Sequence, residues 1–212
     1  MIKKQKTEEV FKYNNIQKKD KNFMYKNLKR ANCYNCDFSN SNFNFASFRG
    51  AHFKSCNLFK CTFKGTEFVG ANLKESRLVS AIFEDTVFDS VNLDGADFKD
   101  AEFKNVVFLD TDITKAKNIK INNNIRVFEE MPSIKLSNNL KVSIEKICEN
   151  EFVKKSRIFD TKDGGLNTLN IMLLLEKFSE EEIIKVFNNC QSQIDRDFYT
   201  LSYIVRLIEK NK

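Results

Sequence analysis

One histidine, one proline and six glycines in 212 residues leave little material for several familiar kinds of protein chemistry. The lone His52 is flanked by Ala51 and Phe53, and no GxxxxGK[ST] loop or nucleophile elbow is present, so the usual ingredients of His-based, nucleotide-dependent or Ser-hydrolase catalysis are missing. Gly164 and Gly165 read as a turn, since no strand of the kind a phosphate loop requires precedes them. Long apolar runs are also absent. The longest in the helical part, Ile171 to Leu175, falls far short of the ~20 residues of a membrane span. The basic start MIKKQKTEEVFKYNN has no apolar stretch behind it, so the expectation is an unprocessed cytoplasmic protein. No catalytic residue, cofactor or metal is expected.

What is present is a period of five. Large residues recur at Leu28, Cys33, Phe38, Phe43, Phe48, Phe53, Leu58, Phe63, Phe68, Leu73, Leu78, Phe83, Phe88, Leu93, Phe98, Phe103, Phe108 and Ile113, and from Ala31 to Thr111 the residue two places before each is small. Neither helix nor strand has this period. Side chains of extended backbone alternate faces, so a small and a large residue separated by one position both point inward, and the chain must turn after every piece. A fixed short period that buries apolar side chains by stacking is a solenoid.

The repeats ANLKE, VNLDG, ADFKD and CNLFK resemble the A(D/N)Lxx consensus of the pentapeptide repeat family. The resemblance covers residues 26–115 and implies a right-handed, four-sided β-helix in which residues i and i+20 stack. Phe48, Phe68, Phe88 and Phe108 then form one inner ladder, and Leu58, Leu78 and Phe98 part of another. The expected fold is a mainly β solenoid of about 4.5 coils, roughly 20 Å long, followed by an α-helical C-terminal region. The expected divisions are a basic N-terminal cap or arm at 1–25, the β-helix at 26–115, a linker at 116–136 around the only proline, Pro132, and a helical domain or cap at 137–212.

In that last part the apolar residues take helical spacing, with stripes at Leu140, Ile144, Ile147, Cys148 and at Ile183, Ile184, Phe187. Ser179 and Glu182 form a capping-box signature, and Tyr199, Leu201, Ile204, Val205 and Ile208 give a final helix its apolar face. About four helices are expected.

The cysteines Cys33, Cys36, Cys56 and Cys61 have a superficial likeness to a zinc ribbon, yet each occupies an inward position of the repeat, where a thiol behaves as a small hydrophobe. Charge divides along the rod. Lys26 to Arg77 holds nine basic and three acidic residues, whereas Leu78 to Lys115 holds three basic and nine acidic: Glu84, Asp85, Asp89, Asp94, Asp97, Asp100, Glu102, Asp110 and Asp112. Outward positions that are apolar form a second candidate surface, with Val69, Val87, Val107 and Leu109 on one face and Phe59 and Val79 on another. Their simplest cover is the chain's own C-terminal helices; a partner or a second copy is the alternative.

The functional expectation is a non-enzymatic scaffold that binds another protein, in a bacterial cytoplasm, with a homodimer through the C-terminal helices as a further expectation. The family resemblance implies an alternative, DNA mimicry that protects a type II topoisomerase from quinolones or peptide toxins, for which only the stretch from Glu84 to Asp112 is acidic enough. Binding of nucleic acid or an anionic surface by the basic N-terminal part is a third.

Overall fold

The computed structural model describes residues 11–161 and 163–212. Residues 11–25 carry rungs of the solenoid, so the rod makes about six turns where 4.5 coils were expected. The early rungs escape the five-residue pattern because their inward positions hold residues such as Lys18 and Ile16 in place of the Phe or Leu centre and its small companion. The first ten residues of the expected N-terminal arm lie outside the described part.

Among the described residues ten short strands build three parallel sheets. On face 1, β1 (Lys12–Asn14), β2 (Asn32–Tyr34) and β3 (His52–Lys54) pair in order. On face 3, β4 (Thr62–Lys64), β6 (Ile82–Glu84) and β8 (Glu102–Lys104) pair. On face 4, β5 (Glu67–Val69), β7 (Val87–Asp89), β9 (Val106–Leu109) and β10 (Ile125–Phe128) pair. Face 2 is held by single bridges from Gln17 through Asp37, Asn57, Arg77 and Asp97 to Lys117. Apart from the final step to β10, each partner lies twenty residues on. The segment expected to be a linker thus supplies a further rung: β10 pairs with β9 with an offset of nineteen, which no five-residue template can find.

The core is a set of side-chain columns. Phe23, Phe43, Phe63, Phe83 and Phe103 stack under face 3 with centroids 4.8 to 5.4 Å apart and rings within about 11° of parallel. Phe48, Phe68, Phe88 and Phe108 stack under face 4 at 4.5 to 4.8 Å. These spacings equal the rise between strands, so stacking and backbone pairing reinforce each other. Phe38, Leu58, Leu78 and Phe98 fill face 2, and Phe53, Leu73 and Leu93 fill face 1, all fully buried; Phe103, near the C-terminal end, is only partly so.

The other repeat positions have their own physical tasks. The Asn or Asp before each centre accepts a hydrogen bond from the amide two residues on, as Asn57 does from Phe59, Asn72 from Lys74 and Asn92 from Asp94, which fixes the turn. Where the small residue is Thr or Cys it donates to a carbonyl of the previous coil, Thr66 to Phe43 at 2.8 Å and Cys61 to Phe38 at 3.1 Å. The corner residue two places after each centre has positive φ, from Asn15 through Asn35, Ser55 and Asp85 to Asp110. Asn, Asp, Ser and Gly predominate there because they tolerate the left-handed region.

Among the described residues the C-terminal part holds five α-helices where about four were expected: α1 (Asn138–Cys148), α2 (Glu151–Ser156), α3 (Thr168–Leu175), α4 (Glu180–Asn189) and α5 (Ser202–Asn211). The Ser179–Glu182 capping box forms at the start of α4. Leu140, Ile144, Ile147, Ile183, Phe187, Ile204 and Ile208 are buried in one cluster that also contains Val87, Val107 and Leu109 of the rod. The helices therefore pack on face 4.

Gly65 marks how tightly the parts fit. Its φ is +58°, and a methyl group there would lie 2.7 Å from Phe45 Cδ1 and 3.3 Å from Ser202 Cβ of α5. Gly65→Ala should cost about 1–2 kcal/mol for the backbone conformation alone, with a further loss from the clash. Adding Phe45→Ala should recover the steric part; thermal melts of the single and double variants measure both terms, and a double variant no better than Gly65→Ala would place the cost elsewhere.

Candidate functional site

The chemistry-bearing side chains concentrate at the seam between face 4 and the helices. Face 4 turns apolar toward its C-terminal end because Val87, Val107 and Leu109 replace the polar outward residues of other rungs; all three are buried in the cluster of the helical part. At the edge of this apolar strip stands Glu67, 5% exposed. Its Oε1 accepts a 2.6 Å hydrogen bond from the amide of Leu201, the residue that precedes α5. That helix has no side-chain cap of its own, so the rod supplies one. Burial raises the Glu67 carboxyl above the usual 4.5, against the lowering effects of the Leu201 amide and the Arg49 charge.

Around this contact the seam is closed by polar clamps. Arg206 of α5 lies over the stacked rings of Tyr25 and Phe45, at 4.8 and 4.5 Å, and donates to the Tyr25 hydroxyl at 2.7 Å. Lys177 pairs with Asp85 at 3.2 Å, and Arg126 of β10 pairs with Glu176 at 2.5 Å. The contacts leave a cavity of about 310 Å³ between rod and helices, lined among others by Phe45, Glu67, Val87, Val107, Leu173 and Val205. On the other side of the seam a wider cleft of about 970 Å³ runs from Arg30 and Arg49 past Gly50, Val69 and Gly70 to Asp89, Asp110 and Glu129.

The nine acidic candidates are not gathered. Asp94 and Asp112 stand on the rungs of face 1, Asp97 and Asp100 on face 2, Glu84, Asp85 and Glu102 on face 3, and Asp89 and Asp110 on face 4. Several are engaged: Glu84 by Lys104 at 3.0 Å and Lys64 at 3.3 Å, Asp85 by Lys177, Asp97 by Asn118 at 2.6 Å and Asp110 by Ser90 at 3.0 Å. The Lys104 hydrogen bond leads the effects that hold Glu84 below the ordinary carboxylate value, while burial raises Asp89 above it. The apolar candidates separate into two groups. Val87, Val107 and Leu109 are covered and Val69 lines the wide cleft, whereas Phe59 and Val79 lie on face 2, with the Arg77 guanidinium 4.4 Å above the Phe59 ring. Of the apolar face expected for the last helix, Leu201, Ile204 and Ile208 are buried within the chain, together with Leu207, while Tyr199 and Val205 are half-buried. The outward apolar residues Val87, Val107 and Leu109 pointed in the sequence to cover by the C-terminal helices; Glu67, in the same outward row as Val87 and Val107, and its bond to Leu201 were no part of that reading.

The four N-terminal cysteines are buried, and burial pushes the Cys33, Cys56 and Cys61 thiols up to about 12. Such thiols are protonated and packed, the opposite of metal-ready thiolates. Among the described residues no helix is long and apolar enough to cross a membrane.

The family model for pentapeptide repeats matches residues 27–65, 66–105 and 81–117, in eight copies. Among solved structures, the pentapeptide repeat protein HetL of the cyanobacterium Nostoc sp. strain PCC 7120, involved in heterocyst differentiation regulation, is 17% identical, with 48% of this chain and 45% of HetL covered at a TM-score of 0.28. The chain thus spans less than half the length of HetL. Rfr23 of the cyanobacterium Cyanothece 51142 is 17% identical over 50% of this chain and 87% of its own, at a TM-score of 0.30. QnrB1, a plasmid-mediated fluoroquinolone resistance protein, is 14% identical over 64% and 93%, at 0.22. No curated protein matches the chain.

A carboxyl raised by folding holds its proton more tightly in the folded state, so its contribution to stability is complete below the unfolded value of 4.5 and is lost as pH rises through the folded value. Gln at position 67 keeps an oxygen for the Leu201 amide and has no charge to bury. Glu67→Gln should therefore raise the melting temperature at pH 8, by roughly 2–4 °C per kcal/mol recovered, and should flatten the stability profile above pH 4.5. A lower melting temperature at pH 8 would mean that the charged carboxylate stabilises the seam.

Proposed function

With residues 27–117 made of pentapeptide repeats, we propose that the protein is a non-enzymatic scaffold that binds another protein through the open faces of its rod. The observation that carries this reading is the division of the rod's surface. Face 4 is occupied by the chain's own helices, whereas the helical cluster includes no residue of faces 1 and 2. A solenoid of this kind holds its outward side chains at fixed spacings at little entropic cost on binding. The six turns give the partner a straight, repetitive surface, and the helices fix its length.

On face 2, Phe59 carries Arg77 and Lys60 over its ring, at 4.4 and 5.2 Å, beside the buried Val79. An apolar ring rimmed by cations is suited to an acidic partner surface with an apolar centre. The scatter of the nine carboxylates over four faces speaks against mimicry of a DNA strand, which needs negative charge in a continuous stripe.

Affinity capture from the native host with the full chain, compared with a Phe59→Ser/Arg77→Glu variant and an Asp94→Asn/Asp112→Asn variant, tests the assignment. The proposal expects a partner lost with the face 2 variant and kept with the acidic one. Loss with the acidic variant alone, above all of a topoisomerase, would contradict it and favour mimicry.

A further inference from the structure

The cavity at the seam combines an apolar body with one buried acid, and that acid has an oxygen left without a hydrogen-bond donor. Every cation on its wall is engaged. Lys64 reaches Glu84 at 3.3 Å, Lys177 reaches Asp85 at 3.2 Å, and Arg206 is held by the Tyr25 hydroxyl and two rings. Two of its carboxylates retain capacity. Glu209, exposed at the mouth, has no ion pair or hydrogen bond among the described residues. Glu67 uses Oε1 for Leu201, while Oε2 accepts no hydrogen bond; no sealed side-chain oxygen among the described residues lacks a partner, so Oε2 keeps some exposure, and Glu67 lines the cavity.

We propose that this cavity is a binding site for a small primary amine, with the ammonium on Glu67 Oε2 and an apolar body against Val87, Val107, Leu173 and Val205. Three considerations select this class. A volume of about 310 Å³ lies at the small end of the ~300–1,000 Å³ common for ligand sites, enough for one aromatic ring or a short alkyl chain. The walls that would meet that body are apolar. A carboxylic acid would meet Glu67 as a like charge or compete for the Leu201 amide, whereas an ammonium supplies the counter-charge that a buried carboxylate needs. Burial outweighs the Leu201 amide and the Arg49 charge and raises the Glu67 pKa, which fits a carboxyl with no cation in direct contact. Because Glu67, Val87 and Val107 belong to the rod and Leu173 and Val205 to the helices, an occupant would tie the two together. It would couple occupancy of the seam to how firmly the helices sit on face 4, a property beyond scaffolding itself.

The test uses the full chain with phenethylamine, its neutral analogue 2-phenylethanol and its acidic analogue phenylacetate, by calorimetry and thermal melts. Saturable binding of the amine is expected, at least about tenfold tighter than of the alcohol, equivalent to about 1.4 kcal/mol, with a raised melting temperature and none for phenylacetate. Glu67→Gln should fold and lose the preference for the amine. Val205→Phe, which fills the cavity from α5, should abolish binding of all three. Binding of phenylacetate as tight as that of the amine, an undiminished amine preference in folded Glu67→Gln, or no saturable amine binding by the folded parent protein would each overturn the proposal.

Discussion

The stacking of phenylalanine on phenylalanine one turn away governs the rest of the molecule. A ring column with a repeat near 4.8 Å can persist only if each coil uses the same number of residues, and that requirement makes twenty the spacing of nearly every strand pair. The small residue two places earlier follows from it, since the interior has room for one large side chain per corner. The turn chemistry follows as well. A chain that changes direction every five residues must place a left-handed residue at each corner, and this sequence accepts that conformation even at Tyr25, Phe45 and Lys60. At Tyr25 and Phe45 the corner rings stack on each other and receive Arg206, so two costly backbone positions also anchor the last helix.

A solenoid has two ends and four faces, each of which must meet water or be covered. Here β10 and the helices close the C-terminal end and face 4 together. The replacement of polar outward residues by Val87, Val107 and Leu109 makes that face unsuited to water and the helices unable to leave it cheaply. Glu67 is the exception in this strip. Its carboxyl is buried at a cost, and the return is a cap on a helix that brings none of its own. A buried acid that lines a cavity at a junction between two structural classes, with one oxygen that accepts no hydrogen bond, joins architecture to ligand chemistry.

The sequence made the repeat legible because the interior demands it at every fifth residue from Leu28 to Ile113. The rungs before Leu28 were hidden: Phe11, Tyr13 and Ile16 sit at the edge of the core, partly exposed, where the demand for a large residue after a small one relaxes. β10 was hidden for another reason. Backbone pairing specifies no side chain, and Ile125–Phe128 carries no five-residue signature. The helices were legible from their apolar stripes and from Ser179, but α2 is too short to show a period. The grouping of the carboxylates was illegible without the faces: residues adjacent in a charge count, such as Asp94 and Asp97, point in directions a quarter-turn apart. Glu67 was legible only as one acid in a basic stretch, because the partner that defines it, Leu201, lies far along the chain.

From residue 11 to residue 117 the chain advances one rung per twenty residues. Spin labels at Asn14 and Asp94, which stand on the same face four rungs apart, would report it directly as a single narrow distance of about 19 Å between backbone sites. A broad distribution, or a distance well beyond that value, would contradict the register on which the columns, the seam and the cavity all depend.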